Sequence, residues 1–174
     1  MDIDQKIFFN FLTNRQFIFH SIRIPSIINS FNILTMSKKS RRLAGILLIV
    51  FPSVIYGGIS LLGLLVHDPA YMQNPLRQNL FRAGHAHAGI FLVLSLVVLR
   101  YVDEANLSDR WKEIVRYFVP TAAILVPAAF FFSVLSPDAI KPNDFIYLAY
   151  IGAVLLVVGL ITLGIGLVRT QKNI

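Results

Sequence analysis

Residues 43–66 read LAGILLIVFPSVIYGGISLLGLLV, 24 consecutive positions without a formal charge or a histidine. At about 1.5 Å of rise per residue, a helix of that length crosses a hydrocarbon layer of about 30 Å. Two further uncharged runs follow at residues 117–136 and 145–168, and a shorter run at 83–99 is the only one of the four to carry histidine. The pattern predicts an all-α polytopic membrane protein, a four-transmembrane-helix bundle with spans at about 43–66, 81–100, 115–136 and 145–168, forming one membrane domain over residues 36–174.

Composition points the same way. Apolar residues make up 56% of the 174 and charged residues 14%, too little polar surface to cover a water-soluble core of this size. There is no cysteine, which removes disulfides, thiolate metal sites and cysteine nucleophiles together.

The net charge of +7 is placed at the ends of the apolar runs. Lys38, Lys39, Arg41 and Arg42 precede the first, and Arg100, Arg110, Lys112 and Arg116 lie between the second and third. Arg169 and Lys172 follow the fourth. With four spans these regions share one side of the membrane, and only Arg77, Arg82 and Lys141 fall on the other. Basic residues in short loops face the cytoplasm, so both termini are expected there, in a bacterial inner membrane. The basic charge is a topology and headgroup signal, and no nucleic-acid partner is expected. Tyr101, Trp111 and Tyr117 flank the inner loop, and Tyr147 and Tyr150 the outer start of span four, at headgroup depth.

Residues 1–35 are written differently, rich in Ile, Phe and Asn and broken by Asn10, Asn14, Arg15, His20 and Arg23. The segment lacks a secretory-signal pattern. It reads as an interfacial helix built on Phe8, Leu12, Arg15 and Phe19, as a disordered extension, or, the preferred reading, as upstream sequence ahead of a start at Met36. His20 carries no functional weight.

Small residues mark the expected helix contacts. Gly152, Gly159 and Gly166 recur every seven residues along one stripe of span four, and Gly84 and Ala88 form a small-xxx-small pair in span two. Lipid offers no hydrophobic drive between helices, so close fit at small residues associates them. Pro127 lies mid-span and is expected to kink span three.

Side chains with chemistry gather in FRAGHAHAG, residues 81–89. If the hydrocarbon begins near Ala83, His87 lies about 6 Å deep, where ionisable groups are functional candidates. The cofactor-binding candidates are His85 and His87 with Arg82. The metal candidates are His67, His85 and His87, because His67 and Asp68 end the first span and could approach His85. Residues i and i+2 of a helix point about 200° apart, so His85 and His87 share one metal only if the helix unwinds at Gly84. An imidazole at this border suits haem b, a transition metal, a quinone hydrogen bond or a proton relay. The plainer expectation is that both histidines hydrogen-bond loop carbonyls or headgroups.

FRAGHAHAGIFLVLSLVVL, with a charged inner loop and two more spans, resembles uncharacterised small four-helix bacterial inner-membrane proteins with a His-X-His at the head of helix two; the likeness covers residues 36–170. Arg82-x-x-His85 more distantly resembles a haem-ligating helix of the haem–copper oxidase and nitric oxide reductase superfamily. That likeness implies an axial-ligand role for His85 or His87 alone, since no later span holds a histidine cluster for a binuclear centre.

P-loop, Rossmann and HExxH motifs are absent. Asp103, Glu104, Asp109 and Glu113 share one inner loop with four basic residues, which reads as a solvated connector with Glu113 and Arg116 as a weak pair. Spans three and four carry no charge, against an ion pump acting alone. The leading functional expectation is an accessory or structural membrane protein without a catalytic site, self-associating or attached to a larger membrane complex. The sharper alternative is a haem- or metal-binding redox component, and the third is transport of a small solute or protons.

Overall fold

Five helices occupy residues 36–169, the residues described by the computed structural model. They are α1 (Lys38–His67), the one-turn α2 (Pro69–Met72), α3 (Pro75–Tyr101), α4 (Asp109–Ser133) and α5 (Tyr147–Val168), with a 3-10 turn at Asp144–Ile146. Four are long and apolar enough to span a membrane, so the chain is a multi-pass, all-α membrane protein. The expectations for residues 1–35, and for Lys172, lie outside the described residues.

The chain runs up, down, up and down between two ends. One end holds Lys38, the turn 102–108 and Arg169; the opposite end holds α2 and the loop 134–146. Helix boundaries follow capping chemistry rather than the edges of the apolar runs. Ser37 caps α1, its side chain accepting from the Ser40 amide. Asp68 Oδ1 accepts from the amides of Ala70 and Tyr71, and Pro69 occupies the first position of α2. Asn74 caps α3 by accepting from the Arg77 amide, with Pro75 next. Such caps satisfy amides that have no partner inside the helix, and proline suits the first helical position.

The helices do not coincide with the expected spans. The helix that contains the second begins at Pro75, because the Asn74–Pro75 cap starts it well before the sequence turns apolar. The helix of the third ends at Ser133, where Val134 leaves helical geometry at φ −132°, ψ 36°.

Helix α4 is the centre. It packs closely against α5 and α3, and α1 joins the group through α3. Val98, Val102, Ala105, Val115, Val119 and Leu163 form the core toward the basic end. Tyr71, Phe81 and Val134 form a second core at the opposite end. Helix α1 is peripheral: its one buried residue is Ser40, at its start, and no position of its most apolar stretch is buried.

The glycine stripe explains the tightest contact. Gly152, Gly159 and Gly166 are buried in α5. A methyl group on Gly152 would lie 2.6 Å from Val126 Cγ2, one on Gly159 2.6 Å from Val119 Cγ2, and one on Gly166 2.5 Å from Leu107 Cγ. Absent side chains let two backbones approach, and dispersion at short range supplies the attraction that water would supply elsewhere.

Candidate functional site

The FRAGHAHAG segment lies wholly within α3, so its side chains divide by helical angle. The histidines are not at the helix mouth, and the helix is continuous at Gly84, which closes the unwound route to a shared ligand.

One set faces α1. The His85 ring lies against Gly57 and Gly58: a methyl on Gly58 would stand 3.1 Å from Nε2, and one on Gly57 3.7 Å from Nδ1. One turn on, Gly89 lies against Val54. Gly57 is nine residues from the outer end of the apolar run of α1, about 13 Å along the axis, so His85 packs against the middle of that run. Arg82, on the same side, lines a crevice with Leu61, Leu62, Leu65, Tyr71 and Gln78.

The other set faces α4 and α5. Gly84 is buried against the Phe131 ring, where a methyl would lie 3.0 Å from Cε2, and half-buried Ala88 follows one turn later. His87 is half-buried, with ring centroids 5.2 Å from both Phe91 and Phe130. It lines a recess of about 410 Å³ between α3, α4 and α5, whose walls include Phe91, Val126, Phe130, Tyr150 and Leu156.

The polar chemistry of that recess is narrow. His87 Nδ1 lies 2.7 Å from the Ala83 carbonyl, which can only accept, so Nδ1 carries the proton in this contact. The neutral ring then keeps Nε2 as an acceptor or a ligand atom. The plainer reading expected bonds from both histidines to loop carbonyls or headgroups; this bond is made by His87 within its own helix. Tyr150 also lines the recess and is itself exposed.

His67, His85 and His87 are not brought together. His67 is exposed at the end of α1, His85 faces the middle of that helix, and His87 faces away from it. Asp68 spends a carboxylate oxygen on the α2 cap. Among the described residues no group of three or more His, Cys, Asp or Glu is placed to hold a metal ion. For haem, which the resemblance implies, the recess offers His87, and among the described residues no second histidine lines it.

Two buried guanidiniums escaped the sequence reading. Arg116 is 6% exposed. Its Nε donates to Ser40 Oγ at 3.0 Å, Nη1 to Glu113 Oε1 at 2.8 Å and Nη2 to Asp103 Oδ1. Asp103 Oδ2 accepts from the Ser37 amide at 2.9 Å, and Lys39 reaches Glu113 at 2.9 Å. The expected solvated connector is thus, at this point, a part-exposed ionic knot around one buried guanidinium, joining the start of α1 to α4. Burial alone would raise the Asp103 carboxyl, but the bonds from Ser37, Ser40 and Arg116 outweigh it and hold it below the usual range.

Arg77 is the second, also 6% exposed. Its Nε donates to the Val134 carbonyl at 3.2 Å, and its guanidinium carbon lies 5.3 Å from the Phe81 ring centroid and 5.7 Å from that of Tyr71. Its Nη1 is buried without a hydrogen-bond partner. Burial pushes the Tyr71 hydroxyl up, against the opposing pull of the Arg82 and Arg77 charges. The only signal for either arginine was its position near a helix end, which a solvated headgroup contact explains equally well. No protein-family model, curated protein or solved structure matches this chain.

Proposed function

We propose that this protein is a small accessory membrane protein that holds a lipid-soluble, hydrogen-bonding molecule in the α3–α4–α5 recess, with His87 as its principal polar contact. The single observation behind this reading is the imidazole whose Nδ1 is satisfied by Ala83 while Nε2 is left free, beside Phe91 and Phe130 in a recess that Tyr150 also lines. A hydroquinone or related phenol has the matching chemistry: an O–H to donate to Nε2, a planar ring for the aromatic walls and a tail soluble in lipid. The protein would then serve a membrane redox complex as a binding subunit, without a catalytic site of its own.

The same free Nε2 favours one second reading, in which His87 would hold a haem iron. When bound, haem supplies one-electron chemistry, and the chain supplies the imidazole and its orientation through Ala83. Purification from native membranes in mild detergent, a visible spectrum and solvent extraction separate the two. A quinone-class compound recovered from wild type and lost in His87→Phe supports the first reading, and a Soret band lost in that variant supports the second. A colourless protein with no extractable ligand rejects both.

We infer a bacterial inner-membrane location with both termini in the cytoplasm, from the ten basic residues at the Lys38–Arg116 end against Arg77, Arg82 and Lys141 at the other. Reporter fusions at residue 174 and in the 138–144 loop should map to opposite compartments.

A further inference from the structure

We propose that the crevice between α1, α2 and the first turns of α3 binds an anionic glycerophospholipid, its phosphate on Arg82 and an acyl chain along Leu61, Leu62 and Leu65. The inference is independent of the His87 recess, which lies on the other side of α3. It starts from two arginines without ion pairs. Every ion pair among the described residues lies toward the basic end, in the Lys39–Glu113–Arg116–Asp103 group and at Arg100–Glu104. Arg77 and Arg82, at the opposite end, have none.

Arg82 is exposed. Its Nε donates to the Gln78 carbonyl at 3.1 Å and its Nη2 to Asn79 Oδ1 at 2.9 Å, both neutral acceptors, and a guanidinium has further N–H donors in the same plane. The crevice it lines is walled by the three leucines and by Tyr71 and Gln78. Leu62 is 60% exposed and Leu65 46%, so this wall is open to lipid along the last two turns of α1.

Behind the crevice stands Arg77, 6% exposed, with its guanidinium near the Tyr71 ring and an unpartnered buried Nη1. Two cations thus act on the Tyr71 neighbourhood with no carboxylate paired to either. A bilayer supplies the missing anion at the right depth: a phosphodiester at the headgroup level with an acyl chain descending beside it. Guanidinium is the side chain suited to phosphate, because its parallel N–H groups match two oxygens.

The test reconstitutes the full chain into nanodiscs of phosphatidylcholine doped with phosphatidylglycerol, and native mass spectrometry reads the lipids retained after the disc is stripped. Wild type should retain phosphatidylglycerol over phosphatidylcholine roughly fivefold, the preference expected of one interfacial arginine. Arg82→Gln should lower the preference severalfold, Arg82→Lys should keep most of it, and Arg110→Gln, one of several cations at the other end, should lower it far less. Leu62→Trp, a change at a lipid-facing position, should lower retention by crowding the chain and serves if Arg82→Gln does not fold. Millimolar inorganic phosphate that displaced the lipid fully would show a headgroup-only anion site and overturn the acyl-chain assignment. Equal retention of both lipids by wild type, or equal preference in wild type and the Arg82 and Leu62 variants, would overturn the proposal.

Discussion

The His85 ring stands so close to Gly58 that a methyl on the glycine would lie 3.1 Å from Nε2, and this is the middle of the seam by which α1 joins the other helices. A peripheral helix with almost nothing buried is held by few contacts, so each one counts. Gly58→Leu should loosen α1, and His85→Ala should partly reverse that loss. A double-mutant cycle on unfolding in detergent should give a coupling of about 0.5–3 kcal/mol. Simple additivity would mean that the two side chains do not share the seam.

On α5 the corresponding change has no flexible neighbour to move. At Gly152 an added methyl meets Val126 Cγ2 at 2.6 Å and the Val126 backbone nitrogen at 3.3 Å. Gly152→Val should therefore destabilise by about 1–3 kcal/mol, read as a lower melting temperature in micelles. Gly164→Val, at a position with nothing within 4 Å of the added carbon, should change stability far less.

The two buried arginines should respond differently to removal. Arg116→Met leaves Asp103 and Glu113 without their guanidinium, and because both carboxylates keep some solvent and other partners, the loss should cost about 1.5–3 kcal/mol. Arg77→Met removes a cation that has no carboxylate partner, and gives up one bond to the Val134 carbonyl. Its cost in detergent should be clearly the smaller. Equal costs would mean that Arg77 has an anionic partner in the purified protein.

Acid should act through Asp103. Its carboxyl is held below the usual range in the folded protein, whereas an unfolded aspartate titrates near about 3.9. The knot's contribution is therefore complete above that value and is lost as the pH falls below it, through the depressed folded value. Melting temperature against pH should drop for wild type below about pH 4, and less steeply for Asp103→Asn, which should already be less stable at neutral pH. Identical slopes would place the acid sensitivity elsewhere.

Much of the fold could be read before any coordinates. Length and apolarity settle the four spans, because lipid forces every backbone group to be satisfied within its own segment, and a helix does that locally. The seven-residue glycine spacing on α5 likewise marks a stripe that the structure buries. Local caps are also written in the chain, as Asn74–Pro75 and Asp68–Pro69, and the first starts α3 ahead of its apolar edge.

What the linear text leaves open is which side chains meet. That His85 and His87 diverge follows from two residues of helical rotation; that one meets Gly58 and the other Phe130 depends on where α1 and α4 pack around α3. Arg116 and Arg77 resemble any other basic residue at a helix end. Their burial is set by long-range partners, Asp103 and Ser40 for one and Val134 and Tyr71 for the other. Hydrophobic partition acts on each segment separately and is additive along the chain, so sequence alone determined the membrane helices. Ion pairing and close packing depend on distances between segments, and only the tertiary structure decided those.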